Sequence, residues 1–149
     1  MGTTSYDQDV ILWAQEQAAL LRSGQFSQLD LEHLADEIED VGKSEQRELA
    51  SRMTVLLAHL LKWHCQPQRR ARSGRSWRDT IDHQRERIVL RIDKTPGLKA
   101  AVQNPEWLED AWADAIALAA KETGFARAHF GKTCPWTTEQ VLAPDWMPG

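Results

Sequence analysis

Apolar residues along this chain recur at helical spacing and nowhere alternate with period two for long, so the pattern predicts helices and no strands. Its densest stretch, Met53 to Cys65 (MTVLLAHLLKWHC), is apolar on nearly every side of a helix, and the other segments are expected to pack against it. Steps of about 100° per residue place Leu31, Leu34, Ala35, Ile38, Gly42, Glu45, Leu49, Met53, Leu56, Leu60 and Trp63 in one stripe. The stripe predicts a single helix of about 34 residues, capped by Asp30. Gly42 is its weak point: glycine there costs about 1 kcal/mol against alanine, so the helix kinks or splits, or a neighbouring helix approaches closely.

Upstream, residues 1–6 read as a loose terminus and Asp7 as the cap of a helix running to about Ser23. Val10, Trp13, Ala14, Gln17 and Leu21 share a face of it, and Gly24 ends it. Downstream, Pro67 terminates the long helix and residues 66–75 read as a basic loop. A third helix is expected from near Ser76, with Trp77, Ile81, Ile88 and Ile92 inward, stopping before Pro96-Gly97; a short turn follows at Leu98 to Val102. Asn104-Pro105 then opens a fourth helix, Glu106 to about Thr123, ended by Gly124. In the tail, 125–149, Trp136, Leu142 and Trp146 are anchors that strap it over the rest, with a short helix from Thr138 to Leu142. The expected fold is all-α: one domain over 1–149, an antiparallel bundle of about four main helices with the C-terminal tail packed across it.

Length and charge refine this picture. At 149 residues the chain fits one domain with an ample core. The net charge of −4 argues against wholesale polyanion binding, but it is unevenly spread. Residues 1–61 carry 11 acidic against 4 basic side chains, 62–91 carry 3 against 9, and 92–149 carry 8 against 5. Two cysteines, Cys65 and Cys134, are too few for a secreted disulfide scaffold, which points to a reducing cytosol. The start, MGTTSYDQD, has neither signal-peptide regions nor a myristoylation pattern. The longest apolar run, Val55 to Leu61, contains His59 and is far too short to span a bilayer, so a cytoplasmic protein without a membrane partner is expected.

Candidate chemistry is sparse. Arg69, Arg70, Arg72, Arg75 and Arg78 surround Trp77, a combination suited to phosphate contact with base stacking, or to pairing with the acidic first half of the chain or of a second copy. Glu45, Arg52 and His59 recur every seven residues along one edge of the long helix, either as a polar boundary of the core or as a seam in which Glu45 or His59 moves a proton. Glu32, Asp36, Glu37, Glu39 and Asp40 form a solvated acidic face or a dock for a cationic partner. Metal binding is poorly served: Asp30-x-x-His33 and His33-x-x-x-Glu37 do not recur on a second helix, and His64, Cys65, His129 and Cys134 lack paired zinc spacing. Gly131-Lys132-Thr133 lacks the upstream glycine of a phosphate loop, and no cofactor is called for.

Several short motifs occur together: Trp13 with Gln17, Leu20-Leu-Arg-Ser-Gly24, Leu29-Asp30, Leu34-Ala-Asp-Glu-Ile-Glu39, Gly42, His59-Leu-Leu-Lys-Trp63, Gln66-Pro67, Ser76-Trp77 and Cys134-Pro135. They resemble the bacterial family called domain of unknown function 29, over almost the whole chain. That resemblance implies a small all-helical bacterial cytoplasmic protein and brings no activity, cofactor or catalytic residue. The chain departs from it at Asp36 and His33, where members commonly carry Glu and Asn, which weakens His33 as a ligand. The leading expectation is a non-enzymatic protein acting through protein contacts, as a homodimer or with another protein. Nucleic-acid binding through the arginine segment is the alternative, and a bundle enzyme using Glu45 and His59 the next.

Overall fold

The computed structural model describes residues 4–149, and the chain forms two compact units, Met1–Ser44 and Glu45–Gly149. Among the described residues there are six α-helices and no strand: α1 (Val10–Arg22), α2 (Leu31–Cys65), α3 (Arg70–Lys94), α4 (Leu98–Gln103), α5 (Pro105–Thr123) and α6 (Thr138–Leu142). The all-α expectation holds.

In the first unit, the cap of α1 is Asp9 rather than Asp7, its carboxylate accepting from the Leu12 N–H at 3.0 Å. The helix ends at Gly24, whose φ of +74° is a conformation that disfavours a side chain. Trp13 and Gln17 are buried as expected, whereas Val10 and Leu21 of the same face are each 47% exposed. Asp30 caps α2, accepting from the His33 N–H at 3.3 Å. Residues 4–6 are held rather than loose: Thr4 donates to Glu16 through its N–H and its hydroxyl, and Tyr6 donates to Glu37. Residues 1–3 of that expected loose terminus lie outside the described residues.

α2 is unbroken over its 35 residues, so Gly42 neither splits it nor admits a neighbour; a Cβ there would meet nothing within 4 Å. From Leu49 onward the helix enters the core of the second unit. Leu49, Met53, Leu56, Leu57, Ala58, Leu60 and Leu61 are all at most 2% exposed, and fully burying one such aliphatic side chain contributes about 1.5–3 kcal/mol. α3 runs antiparallel beside this stretch. Arg91 pairs with Glu45 and Glu48, Arg52 donates to Gln84, and Trp63 meets Gly74, so positions rising along α2 meet positions falling along α3.

The expected basic loop at 66–75 is instead a 3₁₀ turn, Pro67–Arg69, followed directly by α3, which starts at Arg70 and not near Ser76. Gly74, read as a breaker, sits inside the helix for packing: a Cβ there would stand 3.2 Å from Cζ3 of the Trp63 ring. Trp77, Ile81 and Ile88 face the core as expected.

The stretch expected as a turn at Leu98–Val102 forms the short helix α4. α5 begins on the Asn104 cap with Pro105 at its first position and ends at Gly124, φ +80°. Fully buried Ala111, Ala115 and Ala119, spaced by four, let it lie close to its neighbours. Lys62 pairs with Glu122, which places the C-terminal ends of α2 and α5 side by side. The tail packs across this unit as expected. Phe130 and Val141 join the core, Trp136 meets Trp112 edge-on at 5.7 Å and Trp146 at 5.6 Å, and α6 is fixed by reciprocal Thr137 and Gln140 capping bonds.

One buried cation fastens the tail. Arg85, 3% exposed, donates from Nε to the Val141 carbonyl at 2.8 Å, from Nη1 to that of Pro144 at 3.2 Å, and from Nη2 to that of Trp146 at 2.6 Å. Replacing Arg85 by Met is expected to cost about 2–4 kcal/mol in urea unfolding followed by tryptophan fluorescence, because three charge-assisted bonds vanish and their carbonyls lose partners; a loss below about 0.5 kcal/mol, the size of an ordinary surface substitution, would show that the tail is held otherwise. Gly42→Ala should raise stability by up to about 1 kcal/mol in the same assay, since the site is helical and open.

Candidate functional site

The five arginines do not make one free patch. Arg70 donates from Nε to the Trp63 carbonyl at 2.9 Å and from Nη2 to that of Gly149, and its guanidinium lies 4.6 Å from the Trp63 ring centre. Arg78 approaches the same ring at 5.2 Å. Two of the five are therefore occupied on Trp63 by cation–π contact, while Arg69, Arg72 and Arg75 are exposed. Trp77 is buried, so it offers no face for a base to stack on.

Glu45, Arg52 and His59 each bond elsewhere, and Arg52 Nε is buried without a partner among the described residues. Glu45 accepts from Arg91 at 2.7 Å, Arg52 reaches Gln84 at 3.4 Å and Glu48 at 3.8 Å, and His59 bonds the Val55 carbonyl at 2.8 Å. Burial pushes the His59 pKa down, opposed by that carbonyl bond. Glu45 and His59 stand two heptads apart, about 21 Å of helix rise, and no hydrogen bond joins the three among the described residues. Cys65 and Cys134 are free thiols whose pKa values burial raises. No group of three or more potential metal ligands occurs among the described residues.

A tighter polar arrangement lies in the first unit. Asp30 Oδ2 accepts from the Trp13 indole N–H at 3.0 Å and meets His33 Nδ1 at 2.7 Å, while the Asp30 N–H donates to the Gln17 side-chain oxygen at 2.8 Å. Tyr6 stacks on His33 at 4.3 Å, meets Trp13 edge-on at 4.9 Å, and donates its hydroxyl to Glu37. The hydrogen bond to His33 lowers the Asp30 pKa, and its counterpart raises that of His33. The Asp30 contribution is present above its usual 3.8 and lost as pH falls through the lowered value; the His33 contribution is complete below its usual 6.5 and lost as pH rises through the raised one. The cluster is thus tightest between those two values. The sequence shows Asp30 as a cap, Trp13 and Gln17 as an inner face and Asp30-x-x-His33 as a spaced pair, but nothing in the spacing joins these two groups to each other or to Tyr6. Asp30 ties Trp13, Gln17 and His33 together, which marks the cluster as the lock of the first unit.

Two surfaces remain. In the first unit Ile11, Phe26, Leu31, Ile38 and Val41 are 64–71% exposed. Leu31, Leu34, Ile38 and Val41 fall within an arc of about 80° on α2. In the second unit a groove of about 550 Å³ opens between α3 and the tail. Among the described residues no helix is long and apolar enough to cross a membrane.

The family model described as Domain of unknown function DUF29 matches residues 5–147, nearly the whole chain. No curated protein and no solved structure matches it.

Because this chain has a single tyrosine, Tyr6 can be titrated by its absorbance without interference from another. The bond to Glu37 pushes its pKa up to about 12, and Glu37→Gln is expected to return the midpoint toward the usual 10.0. An unchanged midpoint in the variant would break the Tyr6 to Glu37 link.

Proposed function

The chain belongs to the family Domain of unknown function DUF29, and from that premise we propose that it is a non-enzymatic helical protein that acts by binding another protein through the uncovered aliphatic face of its first unit. The observation that carries this reading is the distribution of exposed apolar side chains. Of ten large exposed hydrophobic side chains among the described residues, eight (Val10, Ile11, Leu12, Leu21, Phe26, Leu31, Ile38 and Val41) belong to the first unit. Scattered single exposures are ordinary; this density on a small helical unit is what a partner surface provides. Leu31, Leu34, Ile38 and Val41 repeat at the three-and-four spacing by which one helix presents anchors to another.

Charge selects the partner. The same 44 residues carry 9 acidic against 2 basic side chains, so two copies of this face repel each other, as would an anionic bilayer surface. A basic amphipathic helix is drawn to it. The arginine stretch of a second copy has the right sign, but its half of α3 presents no matching row of aliphatics: the exposed pair Val89 and Leu90 lies at the other end. Nucleic-acid binding loses support with Trp77 buried and Arg70 and Arg78 on Trp63. Proton transfer between Glu45 and His59 loses it with their separation.

A synthetic Leu/Lys amphipathic helical peptide is expected to bind the protein in fluorescence anisotropy, and Ile38→Ser with Val41→Ser to weaken it by at least tenfold, since each buried anchor is worth more than the roughly 1.4 kcal/mol that a decade requires. Arg72→Ala should leave binding unchanged. Equal binding by the double variant would refute the face, and a dimer in analytical ultracentrifugation that the same variant dissolves would make self-association its use.

A further inference from the structure

The groove in the second unit is built rather than incidental. Its near wall is α3, where Asp82, Glu86, Val89, Leu90 and Asp93 follow at helical spacing; its far wall is Leu142, Pro144 and Asp145 of the tail. The two walls are clamped by Arg85, whose three bonds to tail carbonyls leave its guanidinium at the base with its nitrogens already used. Val89 and Leu90, each 43% exposed, give the groove an aliphatic floor, and its volume of about 550 Å³ falls in the range of small-molecule sites. Leu142 also borders an adjoining hollow of about 360 Å³ that mixes Ile92 and Val102 with Lys99, Gln103, Thr138 and Glu139.

The polar groups around this floor carry one sign. Among the described residues none of the carboxylates of Asp82, Glu86, Asp93 and Asp145 has an ion pair or hydrogen bond, and the lone cation, Arg85, is turned to the tail. Glu86 and Asp93 share a face of α3 seven residues apart, about 10 Å of rise, with Val89 and Leu90 between them. At roughly 1.2 Å per extended single bond, about nine bonds cover that distance. The complementary molecule is an aliphatic chain with a positive charge at each end.

We propose that this groove binds an α,ω-diamine or polyamine, its methylene chain lying on Val89, Leu90 and Leu142 and its terminal ammonium groups held by Glu86 and Asp93. The site is separate from the aliphatic face of the first unit, and the two readings stand or fall independently. Specificity for length follows from the spacing: a diamine too short to reach both carboxylates forfeits one of them, and a monoamine of the same chain length forfeits one as well.

The test is isothermal titration calorimetry of the full chain with 1,8-diaminooctane, 1,4-diaminobutane and octylamine at physiological salt. The eight-carbon diamine should bind at least tenfold more tightly than either control. Glu86→Gln combined with Asp93→Asn should weaken it at least tenfold, and Leu90→Ser severalfold, while Asp36→Asn in the first unit changes nothing. Because Glu86, Leu90 and Asp93 are exposed, these variants keep the core intact, and circular dichroism verifies that they fold. No binding, equal binding of the short and long diamines, or equal binding by the double variant overturns the proposal. So does the case in which a basic helical peptide occupies the groove, with Asp93→Asn weakening it, while the diamine does not bind.

Discussion

The interior position of α2 between Leu49 and Leu61 is the constraint on which the second unit depends. A helix apolar on most sides cannot be stable in water, and it is satisfied only when elements cover it from several directions. α3 does so with Trp77, Ile81 and Ile88, α5 with its row of alanines and Trp112, and the tail with Phe130 and Val141. This accounts for features that look unrelated in the chain. Gly74 removes a side chain where α3 meets Trp63, Ala111, Ala115 and Ala119 thin the side of α5 that approaches, and Arg85 supplies the polar fastening that an otherwise irregular tail lacks.

Periodicity made much of this legible. The all-α class, the helical cores, the Asp30 and Asn104 caps, the stop at Gly124 and the strapped tail all follow from local rules whose physical cause is local: spacing, capping and positive φ. The failures have a common origin in long-range contact. A stripe tells which side of a helix is apolar but not whether anything lies on it, so Leu31 and Ile38 share a stripe with Leu49 and Met53 although only the latter pair is covered. Gly74 read as a breaker because its reason, the Trp63 ring, is eleven residues upstream. Arginine is a surface residue by default, and Arg85 gives no sign in the sequence that three carbonyls 56 to 61 residues away will receive it.

The candidate sites divide along the same line. Among residues singled out for their type, several hold the helices, Arg70 and Arg78 on Trp63, Glu45 on Arg91 and His59 on its own preceding turn, while Arg69, Arg72 and Arg75 are exposed. The Asp30 cluster is engaged as well, Asp30 bonding Trp13, Gln17 and His33. The surfaces left open are those whose groups lack an internal partner; the acidic, aliphatic face of the first unit is partly visible in the sequence, whereas the groove beside α3 is not.

Those two surfaces have the same chemistry at different scales. Each sets exposed aliphatic side chains among carboxylates: a long helical strip in the first unit, and a short floor between Glu86 and Asp93 in the second. An apolar surface attracts indiscriminately, and it is the surrounding charge that refuses the wrong occupants, since pressing a like charge into a desolvated contact is costly. Mainly negative rims disfavour acidic occupants and suit the proposed ones, which pair an apolar body with positive charge. Part of the chain's own positive charge serves its architecture, because Arg85 and Arg91 are bonded within the second unit and Arg70 and Arg78 are laid over Trp63, while Arg69, Arg72 and Arg75 stay exposed. On the proposed readings, carboxylates left around bare aliphatics favour cationic amphiphiles, and the length of each aliphatic strip then decides whether the occupant is a helix or a small molecule.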